Sequence, residues 1–172
     1  MSGLGALGRS VAVWMAQLGA RNLTFRSRSA GTTERQKLFV EEIQSMGCEV
    51  HLVGARVTNV ADVTRVVAEL PRPLKGVLQM TMVLHDQAWQ KMTIDKRNET
   101  RAPKVKGTWN LHNEAQSRNI DFFMLFSSLS RIVGQPGQTG YAIANTFLDA
   151  FVKFRTSKRR ATLSSKMSCL SR

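Results

Sequence analysis

The sequence predicts an α/β fold built on a parallel sheet. Short apolar runs alternate with segments of helical periodicity, and glycine, proline or asparagine breaks fall between them. A glycine pattern, Gly3, Gly5 and Gly8, opens the first helical segment. Taken in order, Leu7, Val11, Met15 and Leu18 recur at helical spacing, and Gly19 stops that helix. Leu23–Phe25 reads as a strand. Thr33 to Met46 reads as a helix with Phe39, Ile43 and Met46 on one face and Gly47 as its stop. Val50–Val53 is a strand, and Asn59 can cap a helix carrying Val63, Val66, Val67 and Leu70. The Pro71-Arg72-Pro73 turn leads into a strand at Val77–Met80. A long helix is predicted from Lys96 to Glu114, bent at Pro103. Phe122–Phe126 is a buried strand, followed by a helix over Tyr141–Arg155.

At 172 residues and 42% hydrophobic, the chain can bury one sizeable core. The expected division is a folded domain over 1–155 and a basic, disordered tail over 156–172, where periodicity is lost. No apolar run reaches about 18 residues, and no basic-then-apolar leader opens the chain, so neither a membrane span nor a secretory signal is expected. Cys48 and Cys169 form no disulfide framework or zinc pattern, which fits a reducing, cytoplasmic setting. His51, His85 and His112 lack ligand spacing. They read as surface or strand histidines, and no metal is expected.

The net charge of +13 invites a nucleic-acid reading, but its distribution argues against one. Much of the excess lies at Lys153, Arg155, Lys158, Arg159, Arg160, Lys166 and Arg172, with no acid after Asp149. No helix-turn-helix, zinc finger or aromatic-interleaved basic motif is present. A solvated basic surface is expected instead, one that suits an anionic cofactor or an acidic carrier partner.

Gly3, Gly5 and Gly8 match G-x-G-x-x-G around Leu4, a pattern that lets backbone approach a diphosphate at a helix N-terminus. The next strand ends in Ser27-Arg28-Ser29. An acid there would bind the ribose diol of NAD, whereas an arginine favours the 2′-phosphate of NADPH. A dinucleotide fold needs a strand before the glycine loop, and only Met1 and Ser2 precede Gly3 here.

Downstream, thirteen residues separate Ser128, at a strand end, from Tyr141, which opens a helix. That spacing lets the intervening loop fold back so that both hydroxyls face one carbonyl. A serine can hydrogen-bond a ketone oxygen and a tyrosine can give it a proton, which suits carbonyl reduction. Ser127 is the adjacent competitor, but the spacing favours Ser128.

Four blocks then occur together: SGLGALGRSVAVWMAQLGARNL, GVLQMTMVLHDQAW, APKVKGTWNLH and FSSLSRIVGQPGQTGYAIANTFLDAF. In order and approximate spacing, over about residues 2 to 155, they resemble the ketoreductase domain of polyketide synthases. This is a branch of the short-chain dehydrogenase/reductases, and the highly reducing fungal type is the most similar. The resemblance implies a Rossmann-like, doubly wound parallel sheet and NADPH-dependent reduction of a β-keto acyl thioester. The substrate would arrive on an acyl carrier domain, among other polyketide synthase domains. Tyr141 would protonate the reduced oxygen, Ser128 would orient the carbonyl, and Lys104 would make the phenol a stronger acid. Asn145, in Tyr-x-x-x-Asn spacing, would position a relay water. The lysine and asparagine stand exchanged relative to many short-chain dehydrogenases, as in polyketide ketoreductases. Gly3, Leu4, Gly5, Gly8, Ser27, Arg28, Ser29, Arg56 and Val57 would line the cofactor, and Asp86 with Met82–Trp89 would border the substrate.

The chain departs from that pattern in several places. In GARVT, Arg56 stands where an aspartate contacts adenine, and Arg26 stands where the family is apolar. Beyond Arg155 the family's next strand and substrate lid are replaced by Thr-Ser-Lys-Arg-Arg-Ala-Thr-Leu-Ser-Ser. The expected sheet therefore lacks its first strand and its C-terminal strand and lid. The alternative expectation is a catalytically inactive ketoreductase fragment with weak or no nucleotide binding.

Overall fold

The computed structural model describes residues 4–27, 33–83, 92–133, 137–158 and 163–167. The chain divides into two compact units, Met1–Pro73 and Leu74–Arg172. Both are α/β with parallel strands, as the sequence predicts.

In the first unit, α1 (Ala6–Gln17), β1 (Asn22–Ser27), α2 (Glu34–Ser45), β2 (Glu49–Gly54) and α3 (Val60–Ala68) follow one another. β1 and β2 pair in parallel from Asn22↔Glu49 to Ser27↔Gly54. Gly19 and Gly47 take φ of +96° and +75°, which only glycine adopts freely, and so end α1 and α2. Thr33 starts α2, its N–H donating to the Gln36 side chain at 3.2 Å. Asn59 caps α3 by accepting from the Ala61 N–H at 3.0 Å, as its position before a valine-rich run predicts. Ala12, Ala16, Leu23, Phe25, Phe39, Ile43 and Cys48 close the core, and the Phe25 and Phe39 rings meet edge to face at 5.6 Å.

Arg26 is the exception in this core. It is buried, and its guanidinium donates to the Ala55 carbonyl at 3.2 Å. Burial pulls its pKa down to about 10, with the charge of Asp62 opposing. Below that pH the arginine is charged both folded and unfolded, so folding bears the full desolvation cost. The cost fades only as pH climbs past about 10 towards the ordinary arginine range. We therefore expect Arg26→Leu to stabilise the chain at pH 7 by about 1–2 kcal/mol, seen as a higher urea midpoint at unchanged slope.

In the second unit, β3 (Gly76–Gln79), α4 (Ile94–Ala115), β4 (Phe122–Ser128), a short α5 (Ser130–Val133), α6 (Thr139–Ser157) and β5 (Leu163–Met167) make a parallel sheet in the order β3-β4-β5. The register runs Gly76↔Phe122 to Gln79↔Leu125, and Met124↔Leu163 to Ser128↔Met167. Phe123 and Leu125 of β4 join Val77, Ala115, Leu148 and Phe151 in the core, so α4 and α6 cover one face of this sheet. α4 runs unbroken through Pro103.

Three expectations are corrected here. The C-terminal strand reads as missing in the sequence. Yet α6 continues to Ser157, and Leu163–Met167 pairs with β4. Composition misses such a strand because the row of backbone groups along β4 recruits it, not apolar periodicity. Arg155, read as part of a solvated basic surface, is 2% exposed. His112, read as a surface or strand histidine, lies on α4 and is equally buried. Its Nδ1 meets the Arg155 guanidinium, which lies 4.2 Å from the Phe123 ring centroid. Trp109, Phe151 and Phe154 pack around the imidazole.

Candidate active site

Three elements of the second unit converge above its apolar core. Along α4, Lys104, Thr108, Leu111 and Ala115 are spaced by three or four residues and share a face. On α6 the same holds for Tyr141, Asn145, Leu148 and Val152. Leu111, Ala115, Leu148 and Val152 pack with Phe123 and Leu125 of β4, so the polar members of both stripes lie nearer the carboxyl end of the strand.

Lys104 is 3% exposed, and its ammonium donates to the Phe126 carbonyl at 2.7 Å. The same nitrogen stands 5.4 Å from the centre of the Tyr141 ring. A buried cation so placed favours a phenolate on the neighbouring ring. Asn145 is fully buried and donates through Nδ2 to the Tyr141 carbonyl at 2.8 Å, one helical turn back. Its Oδ1 has no hydrogen-bond partner among the described residues. A buried amide oxygen in that state calls for a donor such as water, which matches the chemistry of a relay.

Ser128, also buried, is the last residue of β4, two positions beyond the carbonyl that Lys104 holds. Ser127 alternates with it and shares the parity of Phe123 and Leu125, the core-facing residues. Its hydroxyl lacks a partner among the described residues, as does that of Thr108. The structure thus brings Lys104, Tyr141 and Asn145 together and sets Ser128 at the end of β4, two residues beyond the carbonyl that Lys104 holds.

The expected cofactor residues fall in the first unit. Gly5 is the N-cap of α1, where no side chain caps the helix and no acid occupies the first turn. A Cβ at Gly5 would meet nothing within 4 Å. Open backbone N–H groups at this end fit a diphosphate. Leu4 leads into this cap, and Gly8 is buried on α1. Ser27 ends β1, its carbonyl accepting from the Ala55 N–H at 3.1 Å. Arg56 is exposed, its backbone N–H donating to Asp62 at 2.7 Å, and Val57 is buried beside it. Gly3, Arg28, Ser29 and Asp86 lie outside the described residues, as does most of Met82–Trp89.

Sequence reasoning missed Gln79 and Thr108. Gln79 was legible as the one polar residue in the strand GVLQ, and a glutamine inside a buried strand needs a partner.

The second unit thus sets a buried lysine, a helix-start tyrosine and a strand-end serine on a parallel sheet of the Rossmann-like class. The chain belongs to the KR domain family, whose profile matches residues 1–172. It is 50% identical over 157 residues to the highly reducing polyketide synthase sphB of Aspergillus fumigatus, covering 90% of this chain and 6% of that protein. With the highly reducing polyketide synthase lcsB of Purpureocillium lilacinum it shares 51% identity over 158 residues, covering 92% and 6%. The chain thus spans a small fraction of these relatives' length. Among solved structures, the N-terminal ketoreductase of the macrolactin assembly line superposes with a TM-score of 0.88 at 28% identity, covering 94% of this chain and 34% of that one. The bacillaene assembly-line ketoreductase gives 0.87 at 29% identity, covering 95% and 42%. Among the described residues, no helix is long and apolar enough to cross a membrane.

Proposed function

We propose that this chain reduces a β-keto acyl thioester to the β-hydroxy acyl thioester with NADPH. It would do so in the cytoplasm, on substrate presented by an acyl carrier domain and alongside other polyketide synthase domains. The observation that supports this reading most is the buried Lys104 ammonium, fixed to the Phe126 carbonyl and facing the Tyr141 ring.

NADPH, when bound, would supply the hydride for the ketone carbon. Ser128 and Tyr141 hold the ketone oxygen by hydrogen bonds, and the Tyr141 hydroxyl gives it the proton that completes the alcohol. Lys104 stabilises the phenolate left behind. Asn145, with its free buried oxygen, holds a water through which that phenolate is reprotonated. Burial strengthens each of these electrostatic contributions, because water does not screen them. Within the first unit, the uncapped start of α1 would receive the diphosphate, and Arg28 would favour the 2′-phosphate.

A thermal melt of the chain with NADPH, and with NADH as control, tests the binding half. A ligand held at 100 times its Kd should add about 2.7 kcal/mol to stability, so NADPH should raise the midpoint by several degrees and NADH by less. Substrate-dependent loss of NADPH absorbance with a β-keto thioester tests the chemical half. No shift at saturating NADPH would instead support an inactive ketoreductase fragment, with Arg56 as the first residue to revert to aspartate.

A further inference from the structure

Gln79 closes β3 and is 1% exposed. Its Nε2 donates to the Pro103 carbonyl at 2.9 Å, and its Oε1 accepts from the Thr81 hydroxyl at 2.9 Å. Pro103 immediately precedes Lys104 in α4. Proline has no N–H to return to the carbonyl four residues back, so the helix is least self-supporting just where the lysine departs. Gln79 pairs in register with Leu125, the neighbour of Phe126 whose carbonyl Lys104 holds. Consecutive residues of α4 are therefore tied to adjacent strands at one level: Pro103 to β3 through Gln79, and Lys104 to β4.

We propose that Gln79 is a positioning residue for Lys104. It fixes the rotation of α4 at the proline, and through that rotation the distance from the ammonium to Tyr141. Displacing a group near reacting atoms by about 1 Å can cost about a hundredfold in rate. A glutamine also fits this place better than an apolar residue would, since both ends of its amide are engaged. The inference rests on the reductase reading, but it can be tested without turnover.

Tyr141 is the only tyrosine in the chain, so tyrosinate absorbance reads this one group. In Gln79→Met, which keeps the volume and removes both hydrogen bonds, the tyrosinate signal should emerge at a higher pH than in the native chain. Lys104→Met should move it further the same way, and the double variant no further than Lys104→Met alone. Turnover of the β-keto thioester should fall about 10- to 100-fold in Gln79→Met with little change in KM. Its high-pH limb should move upward, because a weaker acid stays protonated longer. Should Gln79→Met fail to fold, Thr81→Val frees the far end of the amide and should give a smaller shift of the same sign, with Thr81→Ser restoring the native titration. An unchanged Tyr141 titration in a folded Gln79→Met chain, or in Thr81→Val where Gln79→Met does not fold, overturns the proposal. So do shifts that simply add in the double variant. The predicted titration shift in Gln79→Met, found beside a native chain that reduces nothing, would uphold the positioning and overturn the reductase reading.

Discussion

Tyr141→Phe should abolish reduction of a β-keto thioester, lowering kcat by about 10²–10⁴-fold, while the NADPH-induced melting shift persists. The substitution removes one oxygen and leaves the ring. Its packing at the start of α6 and its place beside Lys104 therefore survive. The Asn145 contact is made to the Tyr141 backbone carbonyl, so it too is untouched. What is lost is the proton that the reduced oxygen must receive. The same variant should be blind to base titration at the tyrosinate band, since no other tyrosine exists. Retention of more than about a tenth of native turnover would remove Tyr141 from the proton-donor role and move attention to water or Ser128.

Arg155→Ala should have the largest effect on stability, about 3–5 kcal/mol. The guanidinium bridges α6 to α4 through His112 and stacks on Phe123 of β4, so one side chain touches three elements. Truncation leaves the His112 Nδ1 without this donor and opens a void among Trp109, Phe123 and Phe151. For a chain of this size the melting midpoint should fall by roughly 10 °C. Arg155→Met fills the void with apolar atoms and should recover a good part of that loss. If alanine costs under about 1 kcal/mol, the arginine is a passenger in the packing.

Helices α1, α2 and α3 were legible because their apolar residues recur at three and four, with glycine or asparagine at the ends. Tyr141 stood out by its thirteen-residue spacing from Ser128, and Lys104 and Asn145 only through the blocks that carry the family resemblance; the structure draws Lys104, Tyr141 and Asn145 together. Arg155 and His112 were not legible. They lie 43 positions apart, and only the packing of α4 on α6 makes a polar residue at either place buried. β5 escaped notice for a related reason: pairing with β4 is a property of the neighbour, and Thr-Leu-Ser-Ser carries no period of its own. Gln79 stood in plain view as an oddity in an apolar strand, but its partner is a backbone carbonyl that composition cannot point to.

One helix carries both the tyrosine and the arginine. Fourteen residues of α-helix span about 21 Å, and the helix is unbroken between them. α6 is thus a lever with its pivot in the aromatic cluster and its working tip at the Tyr141 hydroxyl. A tilt of about 5° at the pivot swings the tip by about 2 Å, most of the length of a hydrogen bond. The aim of the proposed proton donor is therefore set from the far end of the rod. A substitution in the cluster that leaves the chain folded can still detune the chemistry.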